Sequence, residues 1–403
     1  MNINEYINET LKKCVRVNKE DEGTLIGLPY PYSVPCAEGV FQEMFYWDTY
    51  FTNKGYIASG NIEQAKNNAQ NMFYLINRYG FMPNGSRTGY LGHSQPPFLS
   101  IMVRDIYDCT IDKEWLKTAY DALVAENHYW TEKRMTETGL NRYYTLKNNP
   151  QDDCSATVNY MVGRIGFKPQ ESDYEIAIGC RAGCESGWDM SPRMSYITHR
   201  YLPADLNSLL YAQEKNLEFF ANELGKTEDA EKWNKAAENR AQLCRKYLLC
   251  DGIFYDYNFV DGEHSKIKSV ANFYPLYCGM ATKEEAENAR KLLKYLETDH
   301  GILTCEENDV EGIYQWDYPN GWAPMQLIVA GGLMNYGYTE DALRIAEKFK
   351  NTVEHCFEQT GHLWEKYNIV DGTTEAKNEY EMPAMMGWTY GVYTLFCTWL
   401  KKN

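Results

Sequence analysis

The sequence predicts an all-α protein whose helices are joined by long, chemically loaded loops. Three observations carry that reading. Apolar residues recur at three- and four-residue spacing in successive runs, which is the helical signature. Alternating Val/Ile runs are nearly absent, and no Pro/Ser/Gly-rich linker divides the 403 residues.

Along the chain, the first clear helix covers 62–79, where Ala65, Ala69, Met72, Phe73 and Ile76 share a face and Gly80 stops the run. Residues 205–224 follow with Leu206, Leu209, Leu210, Leu217, Phe220 and Leu224, ending at Gly225. Residues 228–249 continue with Ala230, Trp233, Ala237, Cys244 and Tyr247. Thr282-Lys283-Glu284-Glu285 is a capping box that opens a helix through Ala289, Leu292, Leu293 and Leu296. Residues 340–358 repeat the pattern with Ala342, Ile345, Ala346, Phe349, Val353 and Phe357, and a last helix is expected from Trp388 to about Leu400. Short stretches at 142–146 and 253–257 are candidate strands of loop hairpins. None of these helices is apolar all round, so each is expected to bury one face. Paired helices of similar length suggest a helical barrel or a solenoid. The absence of a fixed-period repeat disfavours the solenoid. The longest irregular stretch expected, about 140–200, is of the kind that is usually functional.

Composition narrows the partners. With a net charge of −16, nucleic acid and anionic membranes are unfavourable partners. No run approaches the roughly 20 apolar residues of a membrane span. Residues 1–6 carry no basic patch followed by an apolar run, and the cysteines are scattered singly, as at Cys14, Cys36 and Cys109. Both point to reduced thiols and a cytoplasmic location. Cys180 and Cys184 lack a second Cys/His pair at zinc spacing, so no metal is expected.

Three clusters combine indoles with acids and amides. They are Phe41-Gln42-Glu43-Met44-Phe45-Tyr46-Trp47-Asp48-Thr49-Tyr50-Phe51, Cys184-Glu185-Ser186-Gly187-Trp188-Asp189-Met190-Ser191-Pro192-Arg193, and Gln315-Trp316-Asp317-Tyr318-Pro319-Asn320-Gly321-Trp322-Ala323-Pro324. Indole faces stack on pyranose C–H groups while carboxylates and amides grip hydroxyls. The prolines stiffen the third loop, and Gly321 is expected there for its backbone freedom. A small-molecule carbohydrate is therefore the expected partner. Glycoside hydrolysis needs two carboxyl groups, one as proton donor and one to activate water or attack the sugar. Context selects Glu43, Asp48, Glu185, Asp189, Asp317, Glu365 and Glu379 as candidates. Asp189 lies beside Trp188, where an indole can desolvate an acid and raise its pKa. It can equally be read as a helix cap. On spacing alone, Glu365 reads as a surface carboxylate paired with Lys366.

These clusters also resemble the trehalase family. QWDxPxGWAP and FxExxYWDxYF are similar to its two signatures. Asn84-Gly85-Ser86-Arg87 with Ser94-Gln95-Pro96-Pro97, and ESGWDxSxR, are similar to two further stretches in the same order. The resemblance implies an (α/α)6 toroid over residues 1–403 as a single catalytic domain, with the active site in a funnel of loops and without cofactor. It implies an inverting hydrolase for a small α-glucoside, trehalose first, with Asp189 as general acid and Glu365 as general base. A related small glycoside such as glucosylglycerate, and a sugar-binding pseudoenzyme, are the alternatives. Phe41, Trp47, Asp48, Asn84, His93, Gln95, Gly187, Arg193, Gln315, Trp316, Asp317, Trp322, Glu379 and Trp388 complete the expected substrate-binding set. Arg193 can also be read as a structural ion pair, and Glu43 as a structural tie within its loop. The sequence departs from the family at three arginines, where Val40, His93 and the stretch Lys168-Pro169-Gln170-Glu171 stand instead. Arginine's forked donors are not copied by valine, histidine or lysine, so the sugar pocket is expected to differ in detail.

Overall fold

The computed structural model describes all residues except 148, 150–152, 377–380, 385, 386 and 403. Among the described residues the helices are α1 (Ile3–Lys13), α2 (Tyr46–Ala58), α3 (Ile62–Tyr79), α4 (Leu99–Thr110), α5 (Lys113–Lys133), α6 (Ser155–Ile165), α7 (Asp173–Glu185) and α8 (Ala204–Glu223). They continue with α9 (Thr227–Tyr247), α10 (Tyr274–Tyr277), α11 (Lys283–Arg290), α12 (Leu293–Leu296), α13 (Ala323–Asn335), α14 (Thr339–Thr360) and α15 (Gly387–Lys402). Local chemistry sets several boundaries. The Asn61 side chain caps α3 by accepting from the Gln64 N–H, and Gly80 ends it in the left-handed region. Thr282 and Glu285 form the reciprocal capping box of α11.

Six helices close a ring by successive contact: α2 on α4, α4 on α8, α8 on α10, α10 on α13, α13 on α15, and α15 back on α2. An outer layer including α3, α5, α9 and α14 packs behind them. The chain is thus an (α/α)6 toroid with a few two- and three-stranded ribbons. The inner ring explains why one-face burial fails as a general rule. Helix α13 is buried from Ala323 through Leu333, and α8 buries Asp205, Asn207, Ser208, Gln213 and Glu214 together with its leucines. An inner helix has the outer layer on one side and the ring interior on the other, so it presents little of itself to water.

Three further expectations change. The stretch 140–200 is not irregular throughout, since it holds α6 and α7. The first aromatic cluster is not wholly a loop, because α2 starts at Tyr46 and puts Trp47 and Asp48 in its first turn. The expected helix through 282–296 breaks into α11 and α12. Strands form at Ile253–Phe254 and Tyr257–Asn258, whereas 142–146 forms none.

Candidate active site

The connections that lead from the outer layer into the inner ring converge at one end. The segment before α2 brings Phe41 and Phe45, and the segment before α4 brings Asn84, Tyr90, His93 and Gln95. The segment before α8 brings Gly187 and Asp189, the one before α13 brings Gln315, Trp316 and Trp322, and the one before α15 brings Glu365. With Trp47, Asp48, Tyr160, Arg164, Cys184 and Trp388 they line a cavity of about 440 Å³. That lies in the range of roughly 300–1,000 Å³ typical of small-molecule sites.

The tryptophans form a connected wall. Trp316 and Trp322 lie face to face at 3.7 Å with an interplanar angle of 4°. Trp188 also stacks on Trp316, with centroids 6.0 Å apart. Trp388 meets Trp47, Trp316 and Trp322 edge-on. A cation caps each end of this column: Arg193 Cζ lies 4.1 Å from the Trp188 ring and Lys366 Nζ 4.7 Å from the Trp322 ring. Arg193 is fully buried and paired with Asp205 at 2.7 Å and Asp256 at 3.4 Å. It therefore stands behind the wall and does not line the cavity.

Glu365 is 2% exposed, and Lys366 Nζ donates to its Oε2 at 2.8 Å. The same ammonium donates to Gln315 Oε1 at 3.1 Å. Trp388 Nε1 donates to the Glu365 carbonyl at 2.9 Å. The strand Lys366–Asn368 pairs antiparallel with Asn320–Trp322, with Trp322 opposite Lys366. This two-strand tie joins the third aromatic cluster to Glu365. It also shows why Gly321 is there: a Cβ would stand 2.0 Å from Ile369 Cγ1. Close packing, rather than an unusual backbone angle, requires glycine at that position.

Asp189 is the more open carboxylate. It sits at φ 30°, in the left-handed region that non-glycine residues rarely adopt, and Arg164 Nη1 donates to its Oδ2 at 3.0 Å. Gly187 has φ 73°, and a Cβ there would come 2.8 Å from Trp47 Cε2, so the loop carrying Asp189 lies directly on the wall. The neighbouring Glu185 points the other way. It is fully buried, held by two Arg134 donors at 2.7 Å, Tyr129 and the N–H groups of Ser94 and Tyr144. Burial alone would raise its pKa, but Arg134 and the backbone donors outweigh that and lower it.

Asp48 is 7% exposed, and burial pushes its carboxyl up to about 8, with Glu365 and Asp189 adding in the same direction against a bond to its own backbone N–H. Burial likewise pushes His93 down to about 4. At neutral pH both are uncharged. Gln95 accepts from the Trp47 N–H at 3.1 Å, and Asn84 Nδ2 donates to the carbonyls of Ser94 and Cys184, each at 3.3 Å.

Other expected residues stand apart. Asp317 does not line the cavity, and it accepts from Asn308 Nδ2 at 2.8 Å. Glu43 pairs with Arg87 at 3.0 Å. Glu379 lies outside the described residues. Val40 is exposed and borders a different groove, beside Tyr6 and His362. Lys168 pairs with Asp173 on the surface. Phe45 and Cys184 stood in the clusters but not in the expected substrate-binding set, and Tyr90, Tyr160 and Arg164 were passed over. Tyr160 and Arg164 come from α6, four residues apart and bonded to each other at 2.5 Å. That spacing on a helix was the available signal.

Comparison with known proteins matches residues 2–401 to the trehalase family model. The periplasmic trehalase of Shigella flexneri serotype 5b (strain 8401) is 33% identical over 93% of this chain and 70% of that protein. The periplasmic trehalase of Escherichia coli O1:K1 / APEC is 32% identical over the same shares. Among solved structures, neutral trehalase Nth1 from Saccharomyces cerevisiae has a TM-score of 0.78 at 29% identity, covering 92% of this chain and 74% of that one. The GH63 mannosylglycerate hydrolase from Thermus thermophilus in complex with glucose has a TM-score of 0.66 at 18% identity, covering 98% and 99%, a likeness of fold alone. The periplasmic relatives overturn the cytoplasmic expectation. That expectation rested on six opening residues and on scattered cysteines, and neither feature determines where a chain acts.

Proposed function

This chain belongs to the trehalase family and is a glycoside hydrolase, and from that premise we propose that it hydrolyses trehalose with inversion at the anomeric carbon. Residues 1–403 would form one catalytic domain. The observation that carries the reading is that Asp189 and Glu365 line the same tryptophan-walled cavity in different settings. Asp189 is partly open and sits on a strained loop. Glu365 is buried and held by an ammonium and a backbone tie.

In this mechanism Asp189 carries a proton on the oxygen not engaged by Arg164 and gives it to the glycosidic oxygen. Glu365 takes a proton from a water that attacks the anomeric carbon from the opposite face. The glycosidic C–O bond breaks as the new C–O bond forms, and two glucose molecules result. Neutral Asp48, with Asn84 and Gln95, supplies hydrogen bonds to sugar hydroxyls, and neutral His93 adds a further polar contact. The names of the relatives support trehalose as substrate. The test is NMR of the first product. Trehalose is an α,α-linked disaccharide, so inversion releases one α- and one β-glucose per turnover. Release of α-glucose alone would contradict inversion and recast Glu365 as a nucleophile. Absence of trehalose hydrolysis alongside hydrolysis of another small α-glucoside would remove trehalose as the substrate.

A further inference from the structure

Lys366 is an unusual residue to find behind a sugar site. Its side chain is 0% exposed, and an ammonium is costly to bury. Its surroundings are specific: Glu365 Oε2 at 2.8 Å, Gln315 Oε1 at 3.1 Å and the Trp322 ring at 4.7 Å. Asp48, from α2, and the Cys36 thiol, from the segment before it, also feel the charge of Glu365. Burial holds both in their uncharged forms at neutral pH. Lys366 brings the charge that answers the carboxylate.

We propose that Lys366 is a positioning residue for the water-activating carboxylate, tying Glu365 through its own ammonium to Gln315 and the Trp322 face and setting a positive charge beside it. The proposal rests on the assignment of Glu365 as general base. A long flexible ammonium is pinned here by three contacts of different kinds. The carboxylate is thereby tied to two residues of the third aromatic cluster, Gln315 and Trp322. The position of the base and the charge beside it are then set by one side chain that need not touch substrate. A buried pair kept only for stability has no such requirement, because apolar residues of similar volume often fill the same space without loss of stability.

The experiment compares Glu365→Gln, Lys366→Met, Lys366→Gln and Lys366→Arg in the full chain, with trehalose as substrate and the folded fraction followed by thermal melt. Lys366→Met is expected to lower kcat by about 100-fold or more, within the range of general acid–base contributions, while KM stays within a few-fold. The acid-side limb of its kcat/KM–pH profile should move to higher pH, so that part of the lost rate returns in alkaline buffer. Lys366→Arg, which keeps the cation, should keep the limb near its wild-type position. If Lys366→Met folds poorly, Lys366→Gln preserves a hydrogen bond without charge and must show the same moved limb. A fall in kcat with no movement of the limb in either neutral variant would mark Lys366 as structural and overturn the proposal. Wild-type kcat and profile in Lys366→Met, with Glu365→Gln inactive, would overturn it while leaving the base assignment standing. Wild-type activity in Glu365→Gln would remove the base assignment and this proposal together.

Discussion

Replacing Asp48 by asparagine should stabilise the protein, and by an amount that depends on pH in a calculable way. In the folded chain burial raises the Asp48 carboxyl from 3.8 to about 8. Between those values the folded state keeps a proton that the unfolded state has released. Stability on this account is fully present below the unfolded value and is lost as pH rises toward the folded one. At ~1.4 kcal/mol per pH unit, the three units from pH 4 to pH 7 amount to ~4 kcal/mol. Asparagine stays neutral throughout and escapes that loss. With unfolding entropy of about 2.1 cal/mol/K per residue over 403 residues, ~4 kcal/mol corresponds to ~5 °C in Tm. His93 acts in the opposite sense. Its folded value of about 4 lies below the ordinary imidazole value, so its contribution is present above about pH 6.5 and is lost as pH falls. That term is common to both proteins and cancels in the difference. Differential scanning fluorimetry of wild type and Asp48→Asn from pH 4 to pH 7 should therefore show the gap in Tm widening in favour of the variant by about 5 °C. A gap that stays constant across the range would refute the argument that Asp48 is buried as a neutral acid.

Three further outcomes are expected. Asp189→Asn and Glu365→Gln should fold and lose about 10²–10⁴-fold in kcat on trehalose; near wild-type turnover in either would remove that residue from the chemistry. His93→Arg should raise kcat/KM for trehalose, since a charge-assisted hydrogen bond is worth about 1.5–3 kcal/mol; a fall would show that the neutral imidazole already fits the substrate. Gly187→Ala should lower both Tm and kcat, because its Cβ would meet Trp47 at 2.8 Å and the backbone sits at φ 73°; an unchanged Tm would show that the loop can yield.

The sequence revealed the outer helices better than the inner ones, for a physical reason. Outer helices such as α3 and α14 meet water on one side, so apolar and polar residues alternate at helical spacing and their ends carry glycine stops. Inner helices lose that contrast. In α13 nearly every position is buried, and in α2 the aromatic signature overwrote the period, so the cluster read as a loop. At the site, motif residues were legible because each cluster is local: Trp47, Asp48, Gly187, Asp189, Gln315, Trp316 and Trp322 all line the cavity. What distance along the chain hides is assembly. Arg164 is separated from Asp189 by 25 residues, and Arg193 looks like a site residue until Asp205 and Asp256 are seen beside it. The reading of Glu365 as a carboxylate paired with Lys366 was correct as to the pair and misleading as to the place, since both are buried.

The ions behind the cavity suggest how such a site is kept in shape. Arg134 with Glu185, Arg193 with Asp205 and Asp256, and Lys366 with Glu365 are all nearly inaccessible to water. Buried pairs of this kind are weak contributors to stability compared with apolar packing of the same volume. Their positions account for them better. Glu185 ties the segments carrying Ser94 and Tyr144 to the end of α7, four residues before Asp189. Arg193 and Lys366 close the two ends of the tryptophan column, and Lys366 also holds Glu365. Each directional tie therefore acts on a loop that enters the cavity. Loops hold functional groups less accurately than helices unless a supporting shell fixes them. A toroid that gathers its chemistry from five separate connections needs that shell, and in this chain it is built largely from buried charge.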